Sequence, residues 1–551
     1  MRKIAILFLA LTLWANACKK KVERPGTNAQ TIPTAPGSSN DKPANPEQPA
    51  NTDVASDELF ALVLAGLKAK HAAAENQTWF QSQGVIEGDW IAYSPKNYWG
   101  KTILELPAGY DCKKGNIGCD IQFERKLCST DADCAASRTQ CLPFLASVTK
   151  PGDQPKLMCL GSGDKVMDDY YSTLIKTEKH LDISSLTLPS GRFRTAMING
   201  LTYLTHKLPS FTFRLLLSST DGITPNLFNR PSKVMGEILA EIDGNGGDSK
   251  KIKMNLGYLS DKKVSWNHTK IVLADSNHLL QGGHNFLDPD YVREQPIFDL
   301  SMHVSGSVGE GVQKFVDHLW SNSSSWASNF GKDEKVVPPA PTASGGGKVK
   351  IIGMGRMGSY GDNASDEGFR LLLKSAKKTI YLAQQDIYND ITKLGAKPPH
   401  ALPELVDAVL RGVHLKVVQS SSTAFLGYGT VAPDKAAVML REAIIKEADV
   451  RKFVPPNNLS LGEYLCQQVE YAPFLFHPKV LRWANDTDIG VHPKLIIIDE
   501  TGFYMGSQNF YPSDLQEFGL FISDSPITAQ LLDQYWNKIW ANSSLNKVAC
   551  R

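Results

Sequence analysis

The sequence predicts an α/β protein of two similar halves, each a sheet covered by helices on both faces, with a small disulfide-rich insert in the first half. Three observations lead there. The chain has 551 residues, and after a removable leader and a tether about 495 remain, too many for one core and enough for two domains of about 250. One 18-residue pattern occurs twice without a gap, at 268–285 and 492–509. The residues upstream of each copy repeat a strand, helix, strand order. With 59 Lys+Arg against 57 Asp+Glu, a net charge of +2, there is no global basic field of the kind a nucleic-acid coat protein carries. The 42% apolar and 21% charged content is that of a packed globular protein.

Taken in order, residues 1–17 (MRKIAILFLALTLWANA) carry two cations, an apolar run and a small-residue end, the pattern of a signal peptide. Ala15-Asn16-Ala17-Cys18 resembles the bacterial lipobox, which implies acylation of Cys18 and a lipid anchor; Lys19 after the Cys favours the outer membrane or cell surface. Simple secretion is the alternative. Residues 18–56 lack apolar periodicity and read as a flexible tether. Eight cysteines remain after Cys18, an even number in an exported chain, and Cys112, Cys119, Cys128, Cys134, Cys141 and Cys159 crowd into an insert, 112–159. Their pairing is open among 15 connectivities. Cys466 and Cys550 are left as a pair. No CxxC spacing supports zinc.

The first domain, 57–331, places a strand in HLDISSLTL, a helix in FRTAMINGLTYLTHK and a strand in FTFRLLLSS. A Pro/Gly-rich linker, 332–348, follows. The second domain, 349–551, repeats the order in KTIYLAQQDIY, LPELVDAVLRG and VHLKVVQSS, so each half contains a βαβ unit. Gly353, Gly355 and Gly358 match GxGxxG, a match read as false.

The repeated pattern is His-x-Lys, four residues, Asp, six residues, Gly-[Gly/Ser]-x-Asn. It comprises His268, Lys270, Asp275 and Asn285, then His492, Lys494, Asp499 and Asn509. One match has a chance expectation of roughly one in 100,000 for such a chain, so two in register are no accident. His and Lys two apart fall on one face of a strand, IVLA and LIII are buried-strand runs, and Asp275 and Asp499 suit a turn whose backbone N–H groups they accept. Each copy thus offers an imidazole, an ammonium and an amide on one wall. Two such walls suit in-line displacement at phosphorus, Lys and Asn binding the non-bridging oxygens while one His attacks and the other protonates the leaving group.

At these residues the chain resembles the phospholipase D superfamily. WNHTKIVLADSNHLLQGGHN and FYMGSQNFYPSDLQEFG are similar to blocks of its actinomycete members and, less closely, of the Yersinia murine toxin, and the likeness runs from about Leu181 to Trp540. The resemblance implies a pseudo-twofold arrangement with the active site at the interface of the halves, His268 as nucleophile and His492 as acid. It also implies a carboxylate behind each imidazole, at Asp299 and at Glu517, where actinomycete members carry Asp. The segment 420–431 resembles a loop at the active-site mouth, or is a plain surface loop. The implied activity is hydrolysis of phosphatidylcholine or phosphatidylethanolamine to phosphatidic acid and free headgroup, with transphosphatidylation as a side reaction. No cofactor or metal is expected, the partner is a phospholipid bilayer rather than nucleic acid, and the chain should act as a monomer with an internal pseudo-dimer. A nuclease of the same superfamily and an inactive lipid- or host-binding surface lipoprotein are the rival readings.

Overall fold

The computed structural model describes residues 52–106, 127–137, 139–161, 163–218, 231–259, 265–287, 291, 296–327, 347–390, 397–421, 431–483 and 488–550, within one compact unit, Ala50–Arg551. The leader, Cys18, the tether up to residue 51, Cys112, Cys119, linker residues 332–346 and loop residues 422–430 lie outside them.

Two eight-stranded sheets form the body. The first is ordered 324–327, 252–258, 211–217, 180–185, 271–274, 278–282, 299–304, 91–94, and the second 79–84, 349–356, 517–523, 502–506, 495–498, 379–384, 414–419, 469–473. In each sheet three neighbouring strands run parallel, namely 180–185, 211–217 and 252–258 in one and 379–384, 414–419 and 469–473 in the other. Helices Gly191–Lys207 and Leu402–Leu410 make the first crossover of each half, as their apolar spacing predicts. Such strands are buried on both faces, which is why FTFRLLL reads as a nearly continuous apolar run.

Each sheet carries helices on both faces, and the inner layer is shared between the halves. Helix Val308–Ser321 and the turns from Ser525 to Ser543 lie in one core that joins Leu273, Leu300 and Met302 of the first sheet to Leu495, Met505 and Phe518 of the second. Two separate cores sit under the outer helices. Among the described residues no helix is long and apolar enough to cross a membrane.

The expected boundaries need one correction. Helix Thr52–His71 begins inside the stretch read as tether, and with strand Trp79–Gly84 it belongs to the second half rather than to a 57–331 domain. Leu59, Phe60, Val63, Leu67 and Trp79 share a core with Phe369, Leu372 and Leu373, and Trp79–Gly84 pairs antiparallel with Val349–Met354. Local patterning specifies a strand but not which sheet edge it joins, and here the edge is 275 residues away in sequence, Trp79 facing Met354 at a separation the chain order conceals. Of the GxGxxG glycines, Gly353 is explained by the same contact, since a Cβ there would lie 2.1 Å from the Phe80 ring; a Cβ on Gly355 would meet Phe315 at 2.3 Å, and Gly358 has a φ of 56°.

The insert folds as a hairpin, Gln140–Phe144 with Lys156–Leu160, held by disulfides Cys128–Cys141 and Cys134–Cys159. It packs on the outer helices of the first half through Phe144, Ala146 and Val148. Three of its sulfurs lie within 4.8 Å of one another, but disulfide bonding occupies them. Cys466 is bonded to Cys550, as the leftover pair predicts.

Candidate active site

The IVLA and LIII runs are strands Ile271–Ala274 and Leu495–Ile498, each turning into a return strand, His278–Gly282 and Gly502–Gly506. His268, Lys270, His492 and Lys494 stand just before these strands rather than on them. The two turns are built alike. Asp275 and Ser276 have φ of 52° and 54°, Asp499 and Glu500 51° and 58°. Asp275 accepts backbone N–H groups of Glu178, Lys179 and His180 at 2.5, 2.8 and 2.8 Å; Asp499 accepts those of Lys377, Lys378 and Thr379 at 2.8, 2.7 and 2.8 Å. Both aspartates therefore lock the turn to the neighbouring strand at the end of the strand away from the histidines, a structural role.

At the other end the halves are stitched together twice. The backbone N–H of His268 donates to the Gln516 carbonyl at 2.9 Å, and the Gln516 N–H donates to the Trp266 carbonyl at 3.1 Å. In the mirror arrangement His492 N–H donates to Phe298 at 2.7 Å and Phe298 N–H to Gly490 at 2.9 Å. Gln516 and Phe298 directly precede Glu517 and Asp299, the first residues of strands 517–523 and 299–304. Each carboxylate is thereby delivered to the imidazole of the opposite half. His268 Nδ1 lies 3.0 and 2.9 Å from the Glu517 oxygens, and His492 Nδ1 lies 2.7 Å from Asp299 Oδ2. With Nδ1–H on a carboxylate, Nε2 is the ring nitrogen left to face the interface.

All of this is dry. His268 is 7% exposed, and Lys270, Asn285, His492, Lys494 and Asn509 are 3% or less. Lys270 Nζ donates to the backbone carbonyl of His268 at 2.7 Å and Lys494 Nζ to that of His492 at 2.6 Å, which holds each lysine against the backbone of its own histidine. The Asn509 amide is buried without a protein partner for Oδ1 or Nδ2, a costly state that an acceptor oxygen of a ligand would relieve at Nδ2. Burial pushes the His268 imidazole down to about 4 against the pull of Glu517, and His492 down to about 3, helped by Lys494 and opposed by Asp299. Burial alone would raise Asp299, yet His492 and His284 beside it hold it below the usual carboxylate range. Burial also places Lys494 well below an ordinary lysine. Both imidazoles are therefore neutral at neutral pH.

The structure thus brings His268, Lys270, His492 and Lys494 together with Asp299 and Glu517, links Asn285 to Asp299 through Tyr291, sets Asp275 and Asp499 apart, and adds partners that spacing did not reveal. Ser420 accepts the Val491 N–H and donates to the Val491 carbonyl, both at 2.7 Å, fixing the residue before His492. Asn267, before His268, donates to Ser184, Ser185 and Leu216. Ser507 donates to Glu517 Oε2 at 2.6 Å, and Tyr291 to Asp299 Oδ2 at 2.8 Å. Of these only Ser507 stood inside the repeat, where its Gly/Ser variation was the available signal.

No family model matches the chain. It is 25% identical over 442 residues to the phospholipase D of Streptomyces antibioticus, covering 68% of this chain and 76% of that one. Among solved structures it is similar to the phosphatidylserine synthase of Haemophilus influenzae, with 12% identity, 69% of this chain, 85% of that chain and a TM-score of 0.44. A phospholipase D family member from Salmonella typhimurium matches at 16% identity, 35% of this chain, 96% of that chain and a TM-score of 0.22.

Proposed function

We propose that the chain, a phosphodiesterase-type hydrolase similar to a curated phospholipase D, belongs to the phospholipase D superfamily and is itself a phospholipase D, releasing the headgroup of phosphatidylcholine or phosphatidylethanolamine and leaving phosphatidic acid. One observation carries the reading: two buried imidazoles, each backed by a carboxylate of the other half and accompanied by a buried lysine. His268 Nε2 attacks phosphorus, the P–O bond to the headgroup breaks, and His492 gives its Nε2 proton to the departing alkoxide. His492 then takes a proton from water, whose oxygen displaces His268 and releases phosphatidic acid; a primary alcohol in place of water gives transphosphatidylation. Lys270, Lys494, Asn285 and Asn509 hold the non-bridging oxygens throughout, where buried donors act most strongly. The residues of both dyads come from one chain, so a monomer suffices. Export through residues 1–17 and a lipid anchor at Cys18 would keep the enzyme on the outer membrane or cell surface, at its substrate.

The test measures choline release from phosphatidylcholine vesicles beside nicking of plasmid DNA, each with and without EDTA. Choline release that His268→Ala abolishes is expected; DNA nicking without choline release would favour the nuclease, and neither activity would favour the inactive lipoprotein.

A proton must also be found for His492, since the free imidazoles are neutral. A phosphodiester anion raises their proton affinity, so anion binding takes up a proton and strengthens as pH falls from 7 toward the free value of about 3. Calorimetric titration with diethyl phosphate, whose own charge does not change in this range, in buffers of different ionisation enthalpy at about pH 6.5 should show uptake approaching one proton. Zero uptake or proton release would contradict the assignment.

A further inference from the structure

The two dyads are related by the pseudo-twofold but are not chemically equal. In each, the carboxylate oxygen that faces the imidazole also accepts a hydroxyl. Glu517 Oε2 accepts Ser507 Oγ at 2.6 Å, and that hydroxyl accepts the Phe518 N–H at 3.0 Å. Asp299 Oδ2 accepts the Tyr291 phenol at 2.8 Å, and the phenol accepts the Asn285 N–H at 2.9 Å. The position equivalent to Ser507 in the first copy is Gly283, where a Cβ would stand 2.0 Å from Asp299 Oδ1. No serine fits there, so in this half the hydroxyl reaches the carboxylate from Tyr291, which lies outside the repeat. Glu with Ser and Asp with Gly and Tyr are two solutions to one requirement, and they account for Glu517 standing where an aspartate is expected.

Tyr291 is 1% exposed and its ring packs 4.8 Å from His284, centroid to centroid, and 6.2 Å from Phe193. Its oxygen is a branch point: one bond runs to the carboxylate of the His492 dyad, the other to the backbone of Asn285, a residue of the phosphate-binding wall. Removing the oxygen alone would unseat Asp299 and free the Asn285 N–H while leaving the ring packing in place.

Resting on the phospholipase D reading above, we infer that Tyr291 is a positioning residue for the leaving-group acid: it fixes Asp299 behind His492 and couples that dyad to Asn285, so its loss impairs protonation of the headgroup oxygen more than attack at phosphorus.

The test exploits leaving-group acidity, because a p-nitrophenolate departs without a proton whereas a choline alkoxide does not. The values of kcat/KM are compared for wild type, Tyr291→Phe and Ser507→Ala on phosphatidylcholine and phosphatidyl-p-nitrophenol vesicles, with melting temperatures alongside. Tyr291→Phe should lose about tenfold or more on phosphatidylcholine and no more than about threefold on the nitrophenyl lipid, within the range of general acid catalysis. Ser507→Ala, on the attacking side, should lose equally on both. An equal loss on both lipids for Tyr291→Phe, or no loss on either, would overturn the inference with the parent reading intact. Failure of the parent reading looks different: wild type would release neither choline nor p-nitrophenol faster than His268→Ala, and the inference would fall with it.

Discussion

His268→Ala and His492→Ala should each lower kcat for phosphatidylcholine by about 10,000-fold or more, because each removes a group that forms or breaks a bond. The two losses should differ in kind. Without His492 the nucleophile and its Glu517 remain, so a lipid with a p-nitrophenyl headgroup should still yield one burst of p-nitrophenol and a trapped covalent histidine adduct, which is acid-labile and therefore detected in protein denatured and digested at neutral to alkaline pH. Without His268 there should be no burst on either lipid. A burst in His268→Ala and none in His492→Ala would exchange the roles. The folding of both variants is protected by the backbone bonds of 268 and 492 to Gln516 and Phe298, which no side-chain change removes.

Arg214→Met should destabilise the protein by about 3–5 kcal/mol, the cost of leaving a buried charge without its partner. Asp182 is 0% exposed and lies on the central strand His180–Ser185 of the first sheet. Its oxygens accept Arg214 Nε at 2.7 Å and Nη2 at 2.9 Å, and His180 and Gln313 complete its shell at 2.7 and 2.8 Å. Arg214 in turn reaches Asp317 at 2.6 Å on helix Val308–Ser321, so the cluster ties the first sheet to the shared inner layer. Burial works against the Asp182 carboxylate, but Arg214 and His180 hold it below the usual range. Its contribution is therefore present above the unfolded aspartate value near 4 and is lost as pH falls below it. Urea unfolding at neutral pH measures the loss; a change under about 1 kcal/mol would mean that water, not Arg214, satisfies Asp182.

The parts of the molecule that depend on neighbours in sequence were legible before any coordinates. FRTAMINGLTYLTHK is a helix and IVLA and LIII are strands because apolar spacing along the chain decides which face can be buried. Asp275 and Asp499 do stand at left-handed turns, but the N–H groups they accept belong to the start of the neighbouring strand, Lys179 and Lys378 at 96 and 121 residues' separation, and not to the turn itself, which local spacing does not reveal. The Cys466–Cys550 bond followed from counting. The domain expected at 57–331 takes in residues 79–84, which the structure assigns to the other half as strand Trp79–Gly84; a short strand pattern fits any sheet edge, and pairing with Val349–Met354, with the Phe80 ring over Gly353, selects one. The same limit applied to the dyads. Asp299 and Glu517 could be named, yet nothing in their local spacing says that each serves the histidine of the other half.

By itself, then, the sequence determined two things: a duplicated α/β architecture, and a set of groups, His268, Lys270, Asn285, His492, Lys494 and Asn509, fit to bind and split a phosphodiester. Both are written in periodicity and in spacings of two to eighteen residues, over which one strand and one turn fix the geometry. The tertiary structure alone decided the crossing of the carboxylates, the entry of Tyr291 and the burial that keeps both imidazoles neutral. The crossing and the burial depend on the close approach of residues 193 and 249 apart, Asp299 to His492 and Glu517 to His268, and Tyr291, though only eight residues from Asp299, stands at no spacing that a strand or turn pattern sets; packing and desolvation rather than local pattern set the energy.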